Sequence, residues 1–128
     1  MNGIVIDEGT LDRLRERDPR FHDAAWLFVV AALHFVIERL PEPRHISGRE
    51  LAGGVRDLAV HRFGPMARTV LEHWGIRATV DVGAIVFGLV ECGVLIKQEE
   101  DALDDFVDVY DFDHAFERDD PWSDGGGA

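Results

Sequence analysis

Apolar residues at Phe21, Ala24, Ala25, Phe28, Val29, Ala32, Phe35 and Val36 recur at helical spacing, and Trp26, Leu27, Val30, Leu33 and Ile37 fill the remaining faces of the same helix. A helix that is hydrophobic all round belongs in the middle of a domain, so this segment predicts the buried centre. Asp18-Pro19 supplies an N-cap residue followed by a first-turn proline, which places the helix start there. Leu40-Pro41-Glu42-Pro43 ends it. Ahead of it, Leu11 and Leu14 share one face of a short charged segment, predicting an amphipathic helix over residues 11–17 that docks on the core as an arm.

The next helix is announced by Ser47-Gly48-Arg49-Glu50, the spacing of a capping box, in which the serine oxygen and the glutamate carboxylate each satisfy an orphaned backbone N–H. It should run from Gly48 to Phe63 with Leu51, Val55, Leu58 and Ala59 as its apolar stripe. Gly53-Gly54 lowers its helix propensity, a cost that close packing against a neighbour would justify. Gly64-Pro65 provides a stop and a new start, and a helix through Met66, Val70 and Leu71 to Trp74 ends at Gly75. Thr79 is expected to cap a further helix, with Asp81 in its positive first turn and Val82, Ile85, Val86, Leu89 and Val90 as the buried face. Gly93 is the expected residue just past its end.

Val94-Leu95-Ile96 then reads as a strand, residues 99–105 as an acidic turn and residues 106–110 as a returning strand. The predicted fold is mainly α, with a winged-helix-like C-terminal half made of two helices and a short antiparallel β-hairpin. Residues 1–118 are expected to form a single globular domain, and residues 119–128 a disordered acidic, glycine-rich tail.

A length of 128 residues, with 46% apolar and 30% charged positions, fits one domain with a real core and excludes wholesale disorder. Charge changes the picture more. The net formal charge is −12, yet residues 98–128 hold 12 acids against the single base Arg118, which leaves the first 97 residues near neutral. Such a block repels polyanions and anionic membranes, and a solvated tail that keeps the protein soluble is its first reading, ahead of a basic partner or bound cations. Cys92 is the sole cysteine, so no intramolecular disulfide forms. The N-terminus lacks the basic and apolar regions of a signal peptide, and the apolar run over residues 24–37 is too short to span a bilayer, so a cytoplasmic protein is expected.

Recognition of DNA by a winged helix calls for Arg, Lys, Asn or Gln on the second helix of the pair. From Val80 to Cys92 the charged side chains are Asp81 and Glu91, and the predicted hairpin adds Glu99, Glu100, Asp101, Asp104 and Asp105 against Lys97. That surface repels phosphate, leaving Arg49, Arg56, Arg62 and Arg68 as the basis of a nucleic-acid alternative, and these can pair with Glu50, Asp57 and Glu72. The six histidines His22, His34, His45, His61, His73 and His114 include no i,i+4 pair and no cysteine companions, so no metal site is assigned. His34 is expected to be a core residue with one hydrogen-bonded nitrogen, and Trp74 a core anchor. No phosphate loop or nucleophile motif is present, so neither cofactor nor catalytic residue is assigned.

His45-Ile46-Ser47-Gly48-Arg49-Glu50-Leu51, the run from Phe63 through Gly75, Tyr110-Asp111-Phe112-Asp113-His114-Ala115-Phe116 and Asp18-Pro19-Arg20-Phe21-His22 together resemble a family of small planctomycete and verrucomicrobial proteins with no assigned activity. The resemblance covers about residues 10–118 and implies a stand-alone bacterial cytoplasmic protein. It transfers no catalytic residue.

Three functional expectations follow. The first is a non-catalytic protein-interaction module, docking through Phe106, Tyr110, Phe112 and Phe116 while the surrounding carboxylates steer a basic protein partner. The second is a nucleic-acid-binding regulator that uses the arginine-rich stretch. The third is an enzyme or small-ligand binder in which Arg44, His45, Arg49, Glu72 and His73 converge. Oligomeric state is not encoded in these patterns.

Overall fold

The computed structural model describes residues 6–95, 106–112 and 115–116. Among the described residues five complete α-helices follow in order, α1 (Glu8–Arg17), α2 (Asp23–Glu38), α3 (Gly48–Phe63), α4 (Ala67–His73) and α5 (Thr79–Glu91), with a 3-10 turn (Gly64–Met66) between α3 and α4; Phe106 is also in 3-10 conformation, and Phe112, Ala115 and Phe116 are helical. Among the described residues no helix is long and apolar enough to cross a membrane.

Each helix start has an identifiable partner for its orphan N–H groups, or a proline in place of one. The Asp7 carboxylate accepts from Thr10 N at 2.7 Å, and Leu11 and Leu14 of α1 are buried against the core. Helix α2 begins four residues later than Asp18-Pro19 predicts. Asp18 instead closes α1, donating its N–H to Leu14 O, and its carboxylate clasps Arg20 at 2.9 Å. The intervening turn tucks Phe21 into the core, and His22 Nδ1 accepts from Ala24 N at 2.9 Å as the cap of α2. Helix α3 has the predicted bounds and both capping-box hydrogen bonds, Glu50 N to Ser47 Oγ at 3.1 Å and Ser47 N to the Glu50 carboxylate at 2.8 Å.

Helix α2 packs most extensively on α3, with α5 as its next neighbour, while α3 also packs on α4, on the 3-10 turn and on α5. The approach to α3 is close because Gly54 lacks a side chain. A Cβ there would lie 2.2 Å from Val36 Cγ2. Ala25, Trp26, Phe28, Val29 and Val30 are all buried, whereas Leu33, Phe35 and Val36 are only half-buried and Ile37 is exposed.

The C-terminal half corrects the winged-helix expectation. Among the described residues there is no strand. At the end of α5 Gly93 takes a positive φ of 81°, and the chain folds back so that Val94 N and Leu95 N both donate to Leu89 O, at 2.8 and 3.3 Å. Those donors cap a helix and are lost to any ladder. On the predicted return strand, the Phe106 carbonyl accepts from Thr79 Oγ1 at 2.5 Å, Val109 N donates to the same oxygen at 3.1 Å, and Asp108 has a φ of 51°. Thr79 is therefore not the cap of α5 but a buried pin for the C-terminal segment. Capping passes to Asp81, whose carboxylate accepts from Arg77 N and Ala78 N at 2.8 and 3.1 Å. Ile96, the predicted acidic turn over residues 99–105 and the tail over residues 119–128 lie outside the described residues.

Candidate functional site

The uneven cover of α2 leaves a pocket beside its second half. Leu33 and Ile37 of α2 and Val86, Phe87 and Val90 of α5 line it, together with Ile46, Leu51, Leu95 and Phe106. The cavity measures about 160 Å³ and is predominantly apolar. Its polar contributors, Arg44, His45 and Ser47, come from the segment that leads into α3.

That segment is held by its own hydrogen bonds. The Arg44 guanidinium grips the Glu50 carboxylate in two contacts of 3.1 and 2.8 Å and also donates to His45 O at 3.0 Å. Arg44, with the Ser47 backbone N–H second, pulls the Glu50 carboxyl from its ordinary 4.5 down to about 2. Glu50 reciprocally pushes the Arg44 guanidinium upward. Charge-assisted, two-pronged pairing of this kind is the strong class of hydrogen bond. Its consequence is that capping box, arginine and carboxylate form one hydrogen-bonded unit, of which Arg44 and Ser47 line the pocket.

The predicted interaction residues separate into distinct places. Arg44 and His45 meet Phe106 at the pocket, and Arg49 is exposed on the first turn of α3. Glu72 and His73 belong to α4, where Glu72 accepts from Arg68 at 2.9 Å and His73 lies against His22 with ring centroids 6.4 Å apart. Neither lines the pocket.

The C-terminal aromatics are spent inside the fold. Phe106, Phe112 and Phe116 are buried, and Tyr110 is half-buried with its hydroxyl donating to Ala52 O at 2.9 Å. Phe112 and Phe116 meet edge to face at 4.9 Å, and burial raises the Tyr110 phenol above its ordinary value. These rings anchor the C-terminal segment to the helices, so they are not exposed anchors for a partner. A second, polar cleft beside Tyr110 is bordered by Arg68, Arg77, Asp108 and Asp111, a balanced set of charges.

Of the arginines behind the nucleic-acid alternative, Arg56 binds Asp57 at 2.6 Å, Arg68 binds Glu72, and Arg62 sits over the Phe28 ring at 5.7 Å. Trp74 is half-buried and packs on Phe28 and Phe63 at 5.4 and 5.7 Å. His34 is half-buried, and among the described residues its Nε2 has no hydrogen-bond partner, as is also true of Trp26 Nε1. Among the described residues no group of three His, Cys, Asp or Glu side chains is placed to hold a metal ion.

Of the polar residues that the sequence patterns grouped, Arg44 and His45 line the pocket, while its apolar walls were not singled out. Leu33 and Ile37 read as filler on a buried helix, and Val86 and Val90 as a packing face. The available signal was excess: α2 carries apolar residues on every face, more than its neighbours cover. No family model, curated protein or solved structure matches the chain, so every residue role rests on geometry.

Proposed function

We propose that this chain is a non-catalytic binding module whose site is the apolar pocket between the second half of α2, α5 and residues 44–48. One observation carries the reading: the described lining is mostly Leu, Ile, Val and Phe, and Arg44, His45 and Ser47 are its polar side chains. Binding pockets are typically apolar with a few placed polar groups. Catalysis would need a nucleophile, a base and a charge-stabilising group at one point, and Arg44 and His45 are set apart from Glu72 and His73. A lone, half-buried thiol at Cys92 fits a cytoplasmic setting.

The test is methyl-labelled NMR on the full chain against a mixed library of small molecules and short peptides. Concerted shifts of the Leu33, Ile37, Ile46, Leu51, Val86 and Val90 methyls are expected for at least one class. Shifts scattered over the surface, or none from any class, would overturn the reading.

A second reading, a basic protein partner, is favoured by the concentration of acids over residues 98–128. Deleting that segment is a poor test because it also removes Phe106, Phe112 and Phe116 from the core. Replacing its acids by Asn and Gln leaves Phe106, Phe112 and Phe116 in place, and binding to a basic partner should then lose its salt dependence.

A further inference from the structure

Resting on the reading of the pocket as the binding site, we infer that its ligand is a small, uncharged, ring-sized apolar molecule rather than a fatty acid, an amine or another charged amphiphile. Size is the first argument. A cavity of about 150 Å³ lined by Leu, Ile and Phe stays dry and accepts benzene or xenon. The pocket, at about 160 Å³, has a similar volume, although it opens to solvent and Arg44, His45 and Ser47 also line it.

Shape is the second. Phe87 and Phe106 contribute two aromatic rings to the wall, and the β-branched Val86, Val90 and Ile46 are stiff at their first torsion, so the walls keep their form. A planar ring gains offset or edge contacts with such rings beyond the area it buries.

Charge among the described lining residues is the third argument. An anionic head group would need a free cation, but the Arg44 guanidinium is already held in two contacts by Glu50 and donates to His45 O as well. A cationic head group would need a free carboxylate, but the Glu50 oxygens already accept from Arg44 and from Ser47 N. The Ser47 hydroxyl receives Glu50 N, and His45 is engaged as well. Either charged ligand would break an existing charge-assisted pair or bury its own charge against Leu, Ile and Val, and both are costly. A neutral ring meets neither cost.

The experiment titrates the full chain, methyl-labelled, with toluene and indole, and in parallel with octanoate and octylammonium. The account expects saturable shifts of the pocket methyls with the two neutral rings and at most weak shifts with the charged chains. Val90→Trp, which fills the cavity from α5, should weaken ring binding by about tenfold or more, the loss expected when most of the apolar contact goes. Val86→Phe is the companion should the first variant lose helical circular dichroism. Tighter binding of octanoate or octylammonium than of either ring would overturn the ligand class while leaving the pocket as the site. Pocket methyls that respond to none of the four would overturn the site itself.

Discussion

The two halves of α2 have similar composition and different fates. The first half sets Ala25, Trp26, Phe28, Val29 and Val30 into complete burial, with Phe21 edge-on to Trp26 at 5.6 Å and Phe28 against both Phe63 and Trp74. In the second half Ala32 is fully buried beside Gly54, but Leu33, Phe35 and Val36 are half-buried and Ile37 is exposed, as Leu27 is in the first half. Hydrophobic composition therefore decides that a helix goes inside, but the neighbours decide how completely. What they leave uncovered beside Leu33 and Ile37 becomes the pocket.

Truncation should expose the contrast most sharply. Trp26→Ala removes a fully buried ring and is expected to cost about 3–5 kcal/mol. Ile37→Ala, at a residue 38% exposed, is expected to cost about 1 kcal/mol or less. Urea unfolding of both variants measures the difference, and equal losses would erase the distinction between the halves.

The pocket wall supplied by Phe106 depends on Thr79. Thr79→Val leaves the Phe106 carbonyl and the Val109 N–H without their partner, which should cost about 1–3 kcal/mol, whereas Thr79→Ser should restore most of it. Thermal melts of the pair check this, and a valine variant as stable as the parent would contradict the role of the hydroxyl.

The α2–α3 contact gives a paired test on adjacent glycines. Gly54→Ala drives a methyl into Val36 and should destabilise by about 1–3 kcal/mol, the helix-propensity gain notwithstanding. Gly53→Ala, with nothing within 4 Å of the new methyl, should stabilise by up to about 1 kcal/mol. Opposite signs in denaturant melts are the expected result.

A comparably small effect belongs to the segment that leads into α3. Ser47→Ala should cost about 1 kcal/mol through loss of the helix cap. The Glu50 carboxyl is held at about 2 in the fold against an ordinary 4.5. A group depressed on folding contributes fully above its unfolded value and loses that contribution as pH falls through the folded one. Stability of the parent should therefore decline between about pH 4.5 and 2 more steeply than that of Glu50→Gln, by a modest margin because Glu50 is partly exposed. Parallel slopes in that window would contradict the shift.

Local chemistry explains which elements were legible. The capping box at Ser47 and Glu50 fixes α3 because both hydrogen bonds are made within four residues. The Asp18-Pro19 signal misplaced α2 because the chain spends Phe21 on a core contact and caps with an imidazole, a choice set by tertiary packing. Val94, Leu95 and residues 106–110 have strand-like side chains, but their backbone groups go to Leu89 and Thr79, the latter a partner 27 residues away from Phe106. The site was half legible for the same reason. Arg44 and His45 stood out as a polar cluster, but the walls depend on which apolar face remains uncovered once the helices meet. The aromatic run from Phe106 to Phe116 reads equally well as a surface anchor or a core clasp, and only packing distinguishes the two.

Xenon titration followed by methyl NMR tests the central claim most directly, because xenon enters apolar voids without needing any particular head group. The account predicts the largest saturable shifts at Leu33, Ile37, Ile46, Leu51, Val86 and Val90, with Val29 and Leu71 nearly silent. Uniform small shifts, or a maximum at the first half of α2, would show that no open cavity adjoins its second half.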